Sequence, residues 1–180
     1  MDPVARRGIR FPRSDLEQLP DDWRAELHEG DLVTLSTPDP YHQHVVMRLA
    51  ARLQAHLGPP QAHRVLIAPV DVVVSDDAVL QPDLLVLPPV PVPTGPPWKI
   101  PQPIWVAEVL SPKTAERDRG VKMRLYAAAG VWEAWLLHDE ARTVEVRHLR
   151  EGGGGTLFGP GATAPSRALP GFAPAVEELF

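Results

Sequence analysis

Seven consecutive positions, residues 104–110 (IWVAEVL), are apolar except for Glu108. In an extended strand Ile104, Val106, Glu108 and Leu110 share one face, and Trp105, Ala107 and Val109 share the other. Apolar residues on both faces predict a central strand covered on both sides. The pattern breaks at Ser111-Pro112 and resumes with helical period. At roughly 100° per residue, Val121, Leu125, Ala128 and Ala129 define an apolar arc, with Asp118 and Lys122 inside it. Glu116, Arg119, Met123 and Arg124 fall on or beside the solvated side. Two charges are thus predicted to face the sheet that carries Glu108.

The remaining pattern supplies the neighbours. Residues 1–13 read as a basic arm, and Ser14-Asp15-Leu16-Glu17 has the form of a capping box that starts a short helix ending near Pro20. Residues 23–36 form two short runs around Glu29-Gly30-Asp31, a predicted β-hairpin. After Pro40, residues 41–57 place His42, Val45, Val46, Leu49, Leu53 and Leu57 on one helical face, stopped by Gly58-Pro59-Pro60. Residues 63–75 and 79–87 predict an antiparallel strand pair, with Pro82 marking a bulge, a strand start or an edge. Residues 88–103 hold eight prolines, a density that precludes a regular element. Residues 132–138 and 142–149 predict a second strand pair, with Gly130 as the helix stop before it. Trp132 and Trp135 read as core aromatics, and Val176, Leu179 and Phe180 as a C-terminal cap on the core. The middle of the chain is therefore helix, strand, strand, strand, helix, strand.

A buried carboxylate without a partner costs several kcal/mol, which requires Glu108 to be neutral, paired with a cation, or a metal ligand. Composition narrows the setting. At 180 residues and 44% hydrophobic content the chain suits a single domain over residues 23–180, preceded by the arm and short helix of residues 1–22. A net charge of -5 gives no general pull toward polyanions, so any contact with nucleic acid must use local positive charge. The absence of cysteine excludes disulfides and thiolate zinc sites. His42 and His44 project apart on one helix, a poor zinc pair. Ser111 lacks a nucleophile-elbow context. No apolar run has the length of a membrane span or a signal peptide, and the expectation is a soluble cytoplasmic protein.

The joint order of several short pieces carries a resemblance. These are Glu26-Leu27-His28-Glu29-Gly30-Asp31-Leu32, His42-Gln43, Pro82-Asp83, Glu108-Val109-Leu110-Ser111-Pro112, then Asp118, Lys122, Tyr126 and Gly130, followed by Glu133-Ala134-Trp135-Leu136 and Leu169-Pro170-Gly171. In this order the chain resembles the Uma2 family of predicted endonucleases, within the PD-(D/E)XK restriction-endonuclease-like superfamily. The resemblance implies an α/β (α+β) fold: a restriction-endonuclease-like core with a mixed sheet, an N-terminal β-hairpin and a C-terminal strand extension.

It also implies a chemistry. Asp83 and Glu108, helped by the backbone carbonyl of Val109, would hold Mg²⁺ or Mn²⁺ through oxygen ligands, and the substrate would be a phosphodiester, in DNA. The superfamily's usual lysine stands two residues after the glutamate, where this chain has Leu110. Lys122, which the helical projection turns toward the sheet, is the candidate replacement, and Lys113 is the competitor. Glu26, His42, Asp118 and Tyr126 are the implied supporting residues. Two further expectations stay open: a homodimer, and a non-catalytic module that keeps the fold to bind nucleic acid or protein.

Overall fold

The computed structural model describes residues 9–20, 23–91, 100–110 and 118–180. Among these the fold is mixed α+β. Its centre is a six-stranded sheet in the order β10-β9-β8-β7-β6-β3, where β3 is Val65–Ile67, β6 Leu84–Val86, β7 Trp105–Leu110, β8 Glu133–His138, β9 Thr143–His148 and β10 Gly155–Phe158. A smaller four-stranded sheet has the order β2-β1-β5-β4, with β1 Ala25–His28, β2 Asp31–Thr34, β4 Val72–Ser75 and β5 Ala78–Leu80. Within the large sheet only β7 and β8 run parallel, joined across the helix α3 (Met123–Ala128), as a parallel pair requires a crossover.

The strand pair expected over residues 63–87 exists, but it passes through both sheets. β4 pairs with β5 in the small sheet and β3 with β6 in the large one, all antiparallel. The break falls at Ala68-Pro69 on one arm and Gln81-Pro82-Asp83 on the other. Proline cannot donate to a ladder, so the chain changes sheet where ladder bonding lapses. The consequence is functional: Asp83 stands at the start of β6, and the register Leu84↔Ala107, extended by one position, sets it across from Glu108. The expected order of helix and strands is recovered as α2 (Pro40–Leu57), β3, β6, β7, α3 and β8.

Helix α2 begins where expected. Asp39 caps it, its Oδ1 accepting from the amides of Tyr41 at 2.8 Å and His42 at 2.9 Å, with Pro40 in the first turn. It ends at Gly58, whose φ of 72° suits glycine. Val45, Val46, Leu49, Ala50 and Leu53 are buried on the face of the large sheet that presents Trp105, Ala107 and Val109. The C-terminal segment closes this core with Phe172, Val176, Leu179 and Phe180. Each fully buried leucine here stabilises the fold by about 1.5–3 kcal/mol. On the opposite face Val106 and Leu110 pack with Leu125 and Tyr126 of α3 and with Val72, Ala78 and Leu80 of the small sheet. The sheet is thus covered on both sides, as the pattern of residues 104–110 implied.

Four local expectations are corrected. The short helix α1 (Arg13–Leu16) has Pro12, not Ser14, at its N-cap and no side-chain cap, because Glu17 is engaged by Arg13 Nε at 2.7 Å. Met123 is buried, not solvated. The turn before it, Asp118–Lys122, is π-helical, and its wider winding shifts the phase of everything downstream relative to a 100° projection. Ala128 is exposed for the same reason. Trp132 precedes β8 and is 39% exposed, so of the two tryptophans only Trp135 is a core residue. The hairpin turn is as expected: Glu29 and Gly30 both take positive φ, 50° and 86°, the geometry of a two-residue β-turn between antiparallel strands. The amide of Phe11 donates to Gly30 O and that of Arg13 to Asp76 O, which docks the first described residues on the turns of the small sheet. Lys113, Ser111, Glu116 and residues 92–99 of the proline-rich stretch lie outside the described residues.

Candidate active site

Lys122 organises the site. Its Nζ lies 2.7 Å from Glu108 Oε1, 3.0 Å from Glu26 Oε1 and 3.7 Å from Asp118 Oδ1, and all four side chains are buried. Three elements deliver them: β7 of the large sheet brings Glu108, β1 of the small sheet brings Glu26, and the π-helical turn brings Asp118 and Lys122. Tyr126, one helical turn after Lys122, donates its hydroxyl to the same Oε1 of Glu108. Glu26 is fixed from its other side by His28 Nε2 at 2.8 Å and by the amide of Gln81 at 2.7 Å. That amide belongs to the chain break where β5 hands over to β6.

Asp83 and His42 form the adjoining pair. Asp83 Oδ2 accepts from the amide of Val109 at 2.8 Å and meets His42 Nε2 at 3.1 Å. His42 sits in the first turn of α2, so the Asp39 cap also positions the site. Asp83 and Glu108 each commit one oxygen to these contacts. Among the described residues Asp83 Oδ1 and Glu108 Oε2 take no hydrogen bond.

One ammonium faces three carboxyl groups in a dry environment, and the protonation follows from that. Burial opposes the Lys122 charge, but Glu108, Glu26 and Asp118 outweigh it and hold the ammonium above the usual lysine range. Burial pushes Glu108 well above the usual carboxylate range, and Asp83, Asp118 and Glu26 add to this against the pull of Lys122. Burial also acts on Glu26, yet Lys122, His28 and the Gln81 amide prevail and bring it to about 2. Burial, with Glu108 beside it, keeps the Tyr126 phenol protonated and therefore a donor. For His42 burial is outweighed by the hydrogen bond and charge of Asp83, which raise its pKa.

A stability test follows from Glu26. Its folded pKa lies below the ordinary value of 4.5, so its contribution is present above that value and lost as pH falls through about 2. Urea denaturation across this range will show the intact protein losing about 3 kcal/mol more than Glu26→Gln. Glu108 has the opposite sign: its stabilising contribution is complete below 4.5 and is lost as pH rises through its folded value.

A second network holds the π-helical turn. Arg147 Nη1 donates to Arg119 O at 3.2 Å, and Glu145 Oε1 and Oε2 accept from Arg147 Nε at 2.7 Å and Arg119 Nε at 3.3 Å. Arg119 also contacts His138, whose pKa burial and Arg119 lower. These guanidiniums are committed to the fold of the turn that carries Lys122.

The residues expected at the site divide clearly. Glu108, Lys122, Glu26, Asp118 and Tyr126 are brought into one cluster, and Asp83, Val109 and His42 into a pair of contacts beside it. Leu110 is buried in the core between sheet and helix, and His44 is exposed and stacked on Tyr41 at 6.1 Å. His28 was missed. Its signal was available, because positions two apart on a strand share a face with Glu26.

Comparison with known proteins gives the family. Residues 13–177 match the model of the Uma2 family, described as "Putative restriction endonuclease". The chain belongs to the Uma2 family. A crystal structure described as a "putative nuclease belonging to DUF820", from Anabaena variabilis ATCC 29413, superposes with a TM-score of 0.77 over 94% of this chain and 97% of that one, at 18% identity. That likeness is one of fold. Among curated proteins, none matches. For this Uma2 chain no helix among the described residues is long and apolar enough to cross a membrane.

The donor set bears on the metal that the resemblance implies. Asp83, just before β6, and Glu108, across from it on β7, each present a carboxylate oxygen that takes no hydrogen bond among the described residues, and the surrounding carboxyl groups outnumber Lys122. This fits a hard divalent cation, which takes oxygen ligands and, as Mg²⁺, commonly uses one or two carboxylates. No group of three or more His, Asp or Glu side chains that could hold a metal occurs among the described residues. Backbone oxygen, water and substrate would complete the shell.

Proposed function

We propose that this Uma2 protein is a metal-dependent endonuclease that hydrolyses phosphodiester bonds in DNA, with Asp83, Glu108 and Lys122 as its catalytic residues. The observation that carries this reading is the buried Lys122 ammonium 2.7 Å from Glu108, in a chain whose strand position for that lysine is Leu110. Asp83, Glu108 and the Val109 carbonyl would hold Mg²⁺ or Mn²⁺, which when bound polarises the phosphodiester and lowers the pKa of a water.

The chain's own residues do the rest. Lys122 carries three donors and a charge that its neighbours keep in place, suited to negative charge developing on phosphoryl oxygens. Tyr126 and Asp118 restrict where Glu108 and Lys122 can point. Val109 N–H and His42 orient the carboxylate of Asp83.

The experiment is cleavage of single- and double-stranded DNA with Mg²⁺ or Mn²⁺, run beside thermal unfolding with and without the metal. Metal will raise the unfolding temperature of the intact protein through linkage, and Asp83→Ala will lose that shift and cleavage together. Lack of any shift, with no cleavage of either DNA form, would replace this reading with a non-catalytic module that binds nucleic acid or protein. Leu110 at the strand position of the superfamily's usual lysine is the observation that favours that second reading.

A further inference from the structure

The lysine of the site rides on a turn, not on a strand. β7 is bonded on both sides, by β6 and β8, and that ladder would fix a side chain standing at Leu110. A helical turn has no ladder, yet the π-helical turn Asp118–Lys122 buries both of the charges it is named by. Opening such a turn lets those charges reach water, which gives back part of their desolvation cost. Keeping Lys122 within hydrogen-bond reach of Glu108 and Glu26 therefore requires restraint from outside the turn.

β9 supplies that restraint. Val144 and Val146 are buried on the α2 side of the large sheet, so Glu145 and Arg147 project to the side of α3. Glu145 Oε1 accepts from Arg147 Nε and Nη2, both at 2.7 Å, and its Oε2 from Arg119 Nε at 3.3 Å. Arg147 Nη1 reaches Arg119 O at 3.2 Å. The turn is thus gripped by the backbone and the side chain of one residue, Arg119, in the same turn as Lys122. Arg119 also meets Nε2 of His138 at the end of β8, which ties it to a second strand. Room for the carboxylate comes from Gly155, directly opposite Arg147 on the edge strand β10. A Cβ there would lie 2.6 Å from Glu145 Oε1. The ionic partners of Lys122 come from other elements, so the β9 pair acts on it through Arg119.

We propose that Glu145 is a positioning residue for Lys122: by joining Arg147 to Arg119 it holds the π-helical turn on the sheet and so fixes where the ammonium stands. In a chain with Leu110 at the strand position, β9 does for the lysine what the ladder of β7 would have done. The guanidinium fork of Arg147 is needed for this, since it serves a carboxylate and a backbone carbonyl at once. The bearing of Glu145 on catalysis rests on the proposed cleavage, whereas its hold on Lys122 does not.

Exchange of the Lys122 ammonium protons, followed by NMR on the full chain at pH 7, tests the placement. With Lys99→Arg and Lys113→Arg in place, Lys122 is the only lysine and its signal identifies itself. Glu145→Ala will speed that exchange roughly tenfold in protein that is still folded, because the turn opens more often. Arg147→Lys keeps the charge but not the fork and will speed it in the same direction; it decides the question if Glu145→Ala does not fold. Glu151→Ala, which removes the exposed ion pair with Arg167, will leave the exchange unchanged. In the chain with all its lysines, Glu145→Ala will also lower kcat for DNA cleavage about a hundredfold with KM unchanged. Exchange left unchanged by Glu145→Ala or by Arg147→Lys would overturn the proposal, as would equal acceleration by Glu151→Ala. If the intact protein cleaves no DNA, the proposed function fails and the exchange rates still decide the role of Glu145.

Discussion

Glu108→Gln will reduce DNA cleavage by about a thousandfold, equivalent to about 4 kcal/mol of barrier, while leaving stability at pH 7 within about 1 kcal/mol of the intact protein. The two effects separate because they depend on different properties of the side chain. Glutamine keeps the shape of glutamate, and its carbonyl oxygen can still accept from Tyr126 and Lys122. Lys122 retains Glu26 at 3.0 Å and Asp118 at 3.7 Å as counter-charges. The variant also removes a carboxyl that burial and three other carboxyl groups push toward neutrality. Stability consequently has little to lose and gains at alkaline pH, where the intact protein must hold Glu108 ionised. Catalysis loses the anionic oxygen. The measurements are rate constants for plasmid relaxation and urea unfolding curves. Cleavage at the intact rate would remove Glu108 from the proposed site, and a stability loss above 3 kcal/mol would assign it to the fold.

Lys122→Met is expected to do both kinds of damage. Removing one partner of a buried ion pair costs about 3–5 kcal/mol, and here Glu26, Glu108 and Asp118 all lose their shared cation. Methionine fills a similar volume, so the loss is electrostatic rather than a cavity. It will therefore depend on pH in a defined direction. Without Lys122 the Glu26 carboxyl rises from about 2, because burial is then opposed only by His28 and the Gln81 amide. A group with a depressed folded pKa loses its contribution as pH falls through the folded value, and the variant has less of that contribution to lose. The stability gap between intact protein and variant will narrow below pH 4.5 and widen above it. Cleavage will be lost, whereas Lys113→Met will keep it. Adding Glu26→Gln and Glu108→Gln to Lys122→Met will restore most of the stability and none of the activity, since neutral partners no longer need the cation. A gap that does not change with pH would contradict the electrostatic account.

How far the site was legible before folding can be judged residue by residue. Glu108 declared itself, being a carboxylate between apolar neighbours on both strand faces. Lys122 and Asp118 were legible as charges inside an apolar helical arc, and that reading survived even though the turn carrying them is π-helical. Glu26 could be suspected only by resemblance, since a hairpin glutamate is ordinarily solvated. It is buried because the small sheet packs against the large sheet and the turn that carries Lys122, 96 residues further along the chain. Met123 was misplaced because a single wide turn changes the phase of a helix, and no local residue type announces such a turn.

The sequence by itself determined the central strand, the helix α2 after Pro40, the strand-helix-strand order that follows residue 104 and the chemical kinds at the site, because these rest on periodicity, turn residues and the high cost of burying charge, all local properties. Only the tertiary structure decided that one lysine serves three carboxyl groups from three elements. It also decided that Asp83 faces Glu108 through a strand pair that changes sheets, and that Glu145 joins Arg147 to Arg119 in the turn that carries Lys122. Those arrangements depend on which surfaces meet. Long-range packing sets that choice through the sum of many small contacts, which no short stretch of residues contains.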